Sequence, residues 1–589
     1  MSYQYNYVPP AQPEPAPPPD KRKRNITLGI AGGVLVILLC CCAIAAIVLV
    51  VDPFGWNLLS RLRGNYDAVA VAAPADTSMY MGINLLNATP QKLDPLISAF
   101  KDAYKDATGE DVSTSEDMMD EIDKSLEEFD MTLEEDVVPW IGQYAGVGLL
   151  DLNVDAYGYP EEPDFFLAVE ARSKTNADEF LVKLSEEIAD AWDVDVETSE
   201  YQDATIYFVD EEWNQIAFGR SGSLVILTNS EDTFQQVVDA QKGDALADDD
   251  TYRNLIGELP SDRLATIYIP ASAMSDLSDT LNNMYYVFGA SIDELYTDIT
   301  GMALSISVAE PGLRIDSVAA YNTGELSDIQ RQMLEASGRS NNLADMLPGE
   351  TFAYFTGNRL DLVWSAYYET LSELTEGDIN EAMSELEDEI GFDPNSDLLP
   401  YLDGAYGMGV FTDNEGVFAE YSDINLGVLM AFETSNEDAL RTTLDSFTDF
   451  MQDMDAEIDE TTAGDMTIFA ITSPYDDQMF AYGLGGGWLG LSTSPTILEN
   501  MQNPETSLAD DALFRDALGE LDGGMNVAVF VNVTEGIDVI RDSISDYDRD
   551  DFDEVADMLS PIEYLVLGST SLSGDVVHSA VFISIPTEP

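Results

Sequence analysis

The chain has 589 residues, of which 45% are apolar and 10% aromatic, a content that supports folded cores and separates it from charge-rich disordered chains. Against 111 acids stand 25 bases, a formal net charge of -86. A surface of that sign excludes nucleic acid and anionic polymers, whose phosphates need clustered Lys and Arg, and favours cations as partners.

Tyr3 to Asp20 is a Pro-rich tail that suits neither helix nor sheet and reads as solvated. Ile26 to Val51 follows without a charged residue, longer than the roughly 20 residues that cross a bilayer as a helix. Lys21, Arg22, Lys23 and Arg24 precede it and Asp52 follows, so the positive-inside bias puts the N-terminus in the cytoplasm and the rest outside. A cleaved signal peptide is the competing reading, but its apolar core spans only about 7 to 15 residues. Cys40, Cys41 and Cys42 are the three cysteines and all lie in this run, so the outer region has no disulfide and no thiol nucleophile. Residues 1–64 hold six bases and three acids, leaving 19 against 108 outside, a net of -89.

Leu246 to Pro260 (LADDDTYRNLIGELP) returns as Leu508 to Asp522 (LADDALFRDALGELD), which marks an internal duplication. Asp136, Pro139, Gly146 and Gly148 return as Asp397, Pro400, Gly407 and Gly409; Pro74, Thr77 and Tyr80 return as Pro348, Thr351 and Tyr354. The expected layout is a cytoplasmic tail (1–25), a transmembrane helix (26–51), a linker (52–65) and two extracytoplasmic copies (66–330 and 331–589).

Apolar spacing at i, i+3, i+4 and i+7 predicts amphipathic helices over Tyr252, Leu255, Ile256 and Leu259, and over Phe514, Ala517, Leu518 and Leu521. The aspartates just before them, Asp248 to Asp250 and Asp510 to Asp511, read as caps on free N–H groups. Helical spacing also appears at Met118, Ile122, Leu126 and Phe129, at Phe180, Leu184, Ile188 and Trp192, and at Ile379, Met383, Leu386 and Ile390. Phe165 to Val169, Thr205 to Val209, Leu224 to Thr228, Leu264 to Ile269 and Val527 to Val531 read as strands. Each copy closes with an antiparallel hairpin, Met302 to Ala320 and Leu565 to Ile583. The expected fold class is α+β: two tandem homologous copies with mainly antiparallel sheets and amphipathic helices, preceded by one transmembrane helix.

Little here points to chemistry. Asp151, Asn153 and Asp155 with Glu162 give the rhythm of a calcium loop, but Ala156 stands where the turn glycine belongs and the flank reads as strand. Asp546, Asp548, Asp550 and Asp551 form a second candidate, again without the glycine. Those carboxylates make Ca²⁺ the one cofactor to consider. Ser98 and Lys101 share the SxxK spacing of a serine nucleophile and lysine base, without the companion motifs. Gly483 and Gly485 to Gly487 run into a strand, so they suit a hairpin turn better than a phosphate loop. His578, the single histidine, aligns with Asp316 of the first copy and reads as a surface strand residue. No catalytic or cofactor-binding residue is assigned.

The phrase Pro74, Ala75, Asp76, Thr77, Ser78, Met79, Tyr80 with Gly82, echoed at Pro348 to Tyr354, resembles the P-x-[DE]-T strand opening of a bacterial membrane-anchored family catalogued as domain of unknown function 3352. The resemblance implies a short tail, one membrane span and a large extracytoplasmic region, and transfers no catalytic residue. The expected role is non-catalytic envelope binding or structure; a cation-responsive adhesion or sensing module and a carboxylate-based extracellular hydrolase are the alternatives.

Overall fold

The structure, a computed structural model, describes residues 67–586 apart from 102–103, 106–110, 128, 151–162, 212–213, 275–297, 375–377, 414–424, 474–475, 503 and 544–548. The first half contributes β1 (Met79–Asn84), β2 (Ile141–Leu149), β3 (Phe165–Ala171), β4 (Glu197–Tyr201), β5 (Ala204–Glu211), β6 (Asn214–Ser221), β7 (Leu224–Thr228), β8 (Ala265–Pro270), β9 (Ile299–Ala309) and β10 (Gly312–Tyr321). The second contributes β11 (Thr351–Asn358), β12 (Ala405–Thr412), β13 (Leu426–Glu433), β14 (Glu457–Ala463), β15 (Met466–Ser473), β16 (Asp476–Gly485), β17 (Trp488–Ser492), β18 (Asn526–Asn532), β19 (Tyr564–Ser569) and β20 (Val576–Ser584). The longer helices are α1 (Pro90–Ala99), α2 (Ser115–Glu127), α3 (Lys174–Trp192), α4 (Glu231–Ala240), α5 (Asp250–Glu258), α6 (Asp328–Ser337), α7 (Leu360–Leu374), α8 (Asp378–Ile390), α9 (Glu437–Asp453), α10 (Pro495–Met501), α11 (Ala512–Gly519), α12 (Val533–Ser543) and α13 (Arg549–Leu559).

All twenty strands join one sheet. The pairings run β4-β5-β6-β7-β3-β2-β1-β8-β9-β10-β20-β19-β18-β11-β12-β13-β17-β16-β15-β14, every one antiparallel. The order within the first half returns backwards in the second, so the halves meet edge to edge at β10 and β20.

The expected fold class is therefore corrected. Instead of two tandem copies with their own sheets, the described residues form a single twenty-stranded antiparallel sheet with helices packed on it. An uncovered edge strand presents a row of unpaired backbone groups, and β10 and β20 satisfy each other's row over nine residue pairs, Gly312–Ser584 to Ala320–Val576. Among the described residues no helix is long and apolar enough to cross a membrane; the run from Ile26 to Val51 lies outside them.

One face of the sheet carries the most deeply buried side chains. In the first half α4 and α5 cover it, Phe234, Val237, Tyr252 and Leu255 packing on Tyr80, Phe166, Ala303 and Val318. In the second half α10 and α11 do the same, Leu498, Met501 and Phe514 packing on Tyr354, Phe530, Val566 and Phe582. On the opposite face, α2 and α3 cover Ile83, Ala145 and Val169 through Ile122, Leu181 and Ile188. Burying a large apolar side chain contributes roughly 1.5–3 kcal/mol, and these two layers hold the sheet from both sides.

Rows of facing residues define which positions of the halves correspond. Tyr80 faces Tyr268, which faces Ala303, which faces Val318. In the second half the row is Tyr354, Phe530, Val566, Phe582. Val318 thus corresponds to Phe582, and, four residues back along unbroken register, Arg314 corresponds to His578. The sequence alignment of His578 with Asp316 is shifted by two. One position of the shift is already present at β19, since Tyr268 and Phe530 are 262 apart but Ala303 and Val566 263; the other enters in the closing hairpin, where the Ser573–Val576 bridge stands one position out of the β19–β20 register.

Candidate functional site

The two repeated sequence motifs dock on each other. Pro74 bridges Ala245, and Pro348 bridges Ser507. Leu246 N donates to Ala73 O at 2.8 Å, and Leu508 N donates to Leu347 O at 3.0 Å. Within each P-x-[DE]-T turn the buried threonine hydroxyl donates to the proline carbonyl at 2.7 Å, Thr77 to Pro74 and Thr351 to Pro348. Asp249 and Asp511 then cap the following helices, accepting from Tyr252 N at 2.7 Å and Phe514 N at 2.8 Å. Carboxylates at a helix start satisfy N–H groups that lack an intrahelical partner, so these repeated aspartates are used structurally.

Behind each pair of turns lies a ring cluster with one geometry and two fillings. In the first half Tyr80 meets Tyr252 edge-on at 6.3 Å, and Tyr252 meets Tyr268 edge-on at 5.2 Å. In the second, Tyr354 meets Phe514 at 5.9 Å and Phe514 meets Phe530 at 5.1 Å, again edge-on. Tyr80 Oη donates to Asp67 Oδ2 at 2.6 Å, and Val69 N donates to Asp67 Oδ1 at 2.9 Å. Asn341 takes the same place in the second half, its Oδ1 accepting from Tyr354 Oη at 3.3 Å and from Leu343 N at 3.2 Å. Its amide donates to Thr356 Oγ1 at 2.8 Å. Gly82 stands where Thr356 would be in the first half, and a Cβ there would come within 2.1 Å of Asp67 Oδ2.

The first filling is titratable. Asp67 is half-buried as a residue, but its carboxyl is enclosed beneath the fully buried Tyr80. Burial pushes that carboxyl above the ordinary aspartate value, and the bonds from Tyr80 and Val69 and the charge of Arg263 only partly offset it. The Tyr80 and Tyr252 hydroxyls are pushed well up, chiefly by burial. Arg263, itself buried, donates to Thr266 Oγ1 and Pro260 O, both at 2.6 Å; burial lowers its affinity for its proton. In the second half burial takes the Tyr354 hydroxyl up to about 12. The Tyr80–Asp67 pair ties the strand opening at β1 to the segment before it, and an equivalent frame stands on Asn341 in the second half.

A second polar cluster sits on the seam. Arg314 Nε donates to Asp316 Oδ1 at 2.9 Å, and its Nη atoms reach across to Glu520 O at 2.5 Å and Asp522 Oδ2 at 2.7 Å. Asp316 is buried. His578, the corresponding residue of the other half, points Nε2 at Glu258 Oε2 over 3.9 Å. Each half thus sends one basic group to the end of the other half's motif helix. His578 is a seam residue opposite Val318, and sequence alone had no signal for this role because the partners are hundreds of positions away.

Other sequence candidates disperse. Asp151, Asn153, Asp155 and Glu162 lie outside the described residues, as do Asp546 and Asp548. Among the described residues no His, Cys, Asp and Glu group could hold a metal ion. Ser98 and Lys101 are both exposed. Gly486 and Gly487 form the β16–β17 turn with φ of 64° and 85°, a left-handed pair that a tight hairpin requires.

The apolar side chains left in solvent gather notably on α12 and α13. Val555, Met558 and Leu559 are 52%, 54% and 41% exposed, and Ile540 is 42% exposed. Val555, Met558 and Leu559 fall at i, i+3 and i+4, one face of α13. Arg541 Nε donates to Asp553 Oδ1 at 3.0 Å and ties the two helices together.

No curated protein matches the chain. Among solved structures, crystal form III of TP0453 is 6% identical with a TM-score of 0.25, and crystal form I is 8% identical with a TM-score of 0.23; each match covers 47% of this chain and 90% of the other. Crystal form IV is 8% identical with a TM-score of 0.22, over 43% and 79%. The model of the family described as Protein of unknown function (DUF3352) matches residues 31–584, and the chain belongs to that family.

Proposed function

We propose that the protein is a non-catalytic binding scaffold of the cell envelope, extracytoplasmic beyond residue 65 and held at the cell membrane with its N-terminus in the cytoplasm. The placement rests on the basic cluster Lys21 to Arg24 before the apolar run. The observation that carries the binding reading is the apolar face of α13, where Val555, Met558 and Leu559 stay in solvent while the sheet's inner face is filled. Contiguous exposed apolar surface marks interaction sites in folded proteins. Two enclosed polar clusters, around Asp67 and Asp316, have their groups committed to holding the chain together, which supports a scaffold.

A photo-crosslinking residue placed at Met558 in intact cells tests this. It should yield a discrete adduct, while the same group at Val182, an exposed position on α3, should not. Identical patterns from both positions would remove the reading. Turnover in a screen of glycoside and ester substrates would restore the hydrolase alternative.

A further inference from the structure

We infer that the α12–α13 face receives a basic amphipathic segment, a helix or extended peptide carrying apolar side chains beside Lys or Arg. The inference rests on the binding reading and adds the partner's chemistry. The apolar row Val555, Met558 and Leu559 has the i, i+3, i+4 spacing by which helices anchor on one another. Its surroundings are strongly acidic: α12 and α13 together hold eight acids and two arginines. Asp538, Asp542 and Asp557 are exposed, and the Asp553 side chain is 42% exposed. Arg541 is engaged by Asp553 and Asp538, so it does not offer its charge to an anionic partner.

That combination selects among occupants. A second copy of this chain would bring an equally acidic rim against the first, and like charges brought together in a low-dielectric contact are costly. An anionic lipid surface meets the same repulsion. A basic amphipathic segment covers the apolar row and places cations against the rim, satisfying both properties at once.

The test uses the full chain in zwitterionic lipid nanodiscs and a fluorescent amphipathic helical peptide of leucine and lysine, with a leucine–glutamate peptide as control. The leucine–lysine peptide should bind, weaken as NaCl is raised, and bind at least about tenfold more weakly to a Val555→Ser, Met558→Ser double variant. That variant keeps every charge, so diffuse attraction to the acidic surface is unchanged, and both positions are exposed, so its melting should match the parent. Equal binding to parent and variant, equal binding of the leucine–glutamate peptide, or self-association through this face overturns the inference. A discrete Met558 adduct in cells without leucine–lysine binding removes only the partner chemistry; absence of both removes the binding reading as well.

Discussion

The two ring clusters are the same frame built around different chemistry. Around Tyr80 stand Asp67, Tyr252 and Tyr268, with the charge of Arg263 acting on Asp67; around Tyr354 stand Asn341, Phe514 and Phe530. The docked turns, the caps and the edge-on rings persist when the charges are gone. Packing and backbone bonds therefore hold this frame, and the ionisable groups of the first half are an added feature that burial makes costly.

The seam offers the sharpest way to break that equivalence. Arg314→Ala leaves the buried Asp316 carboxylate without its guanidinium, and removing one partner of a buried pair costs about 3 kcal/mol or more. Urea unfolding of the full chain should register that loss, and the matching His578→Ala should shift stability by less than about 0.5 kcal/mol, since its 3.9 Å contact to Glu258 is longer than a hydrogen bond and open to solvent on the Glu258 side. Similar effects at both positions would contradict the asymmetry seen across the seam.

Asn341→Asp comes next in size. It puts a carboxylate beside the buried Tyr354 and replaces the amide that donates to Thr356, and should cost about 2 kcal/mol at neutral pH, recovering on acidification as the group takes up a proton.

Asp67→Asn is the reverse swap and should change stability at neutral pH by less than about 1 kcal/mol. Its larger signature is in pH dependence. Because the folded-state value of Asp67 is raised above 3.8, its protonation stabilises the fold fully below the unfolded value, and that contribution is lost as pH rises through the raised one. The difference in stability between parent and Asp67→Asn should therefore vary across the pH range just above 3.8 and level off beyond it. A flat difference would mean the carboxyl is not enclosed. Tyr252→Phe, which imports the second half's residue, should cost least among the ring cluster changes, about 1 kcal/mol or less.

Much of this architecture was legible one element at a time. The i, i+3, i+4 rows at Tyr252 and Phe514 marked α5 and α11, the preceding aspartates marked their caps, and alternation marked β8, β9 and β18. The correspondence of His578 was not legible, because one position gained before β19 and one in the closing hairpin move β20 two positions along, and no residue pattern announces either. The pairing of Asp67 with Tyr80 was equally hidden: one carboxylate among 111 acids has no distinguishing pattern until a fully buried ring closes over it.

By itself the sequence determined the composition, the acidity and the repeated local motifs, since periodicity, capping and turn chemistry act between residues a few positions apart. Only the tertiary structure decided that both halves share one sheet, that Arg314 and His578 reach across the seam, and that Asp67 is enclosed where other acids meet water. Strand pairing and burial are settled between residues far apart in the chain, where edge hydrogen bonds and desolvation, not local pattern, choose the partner.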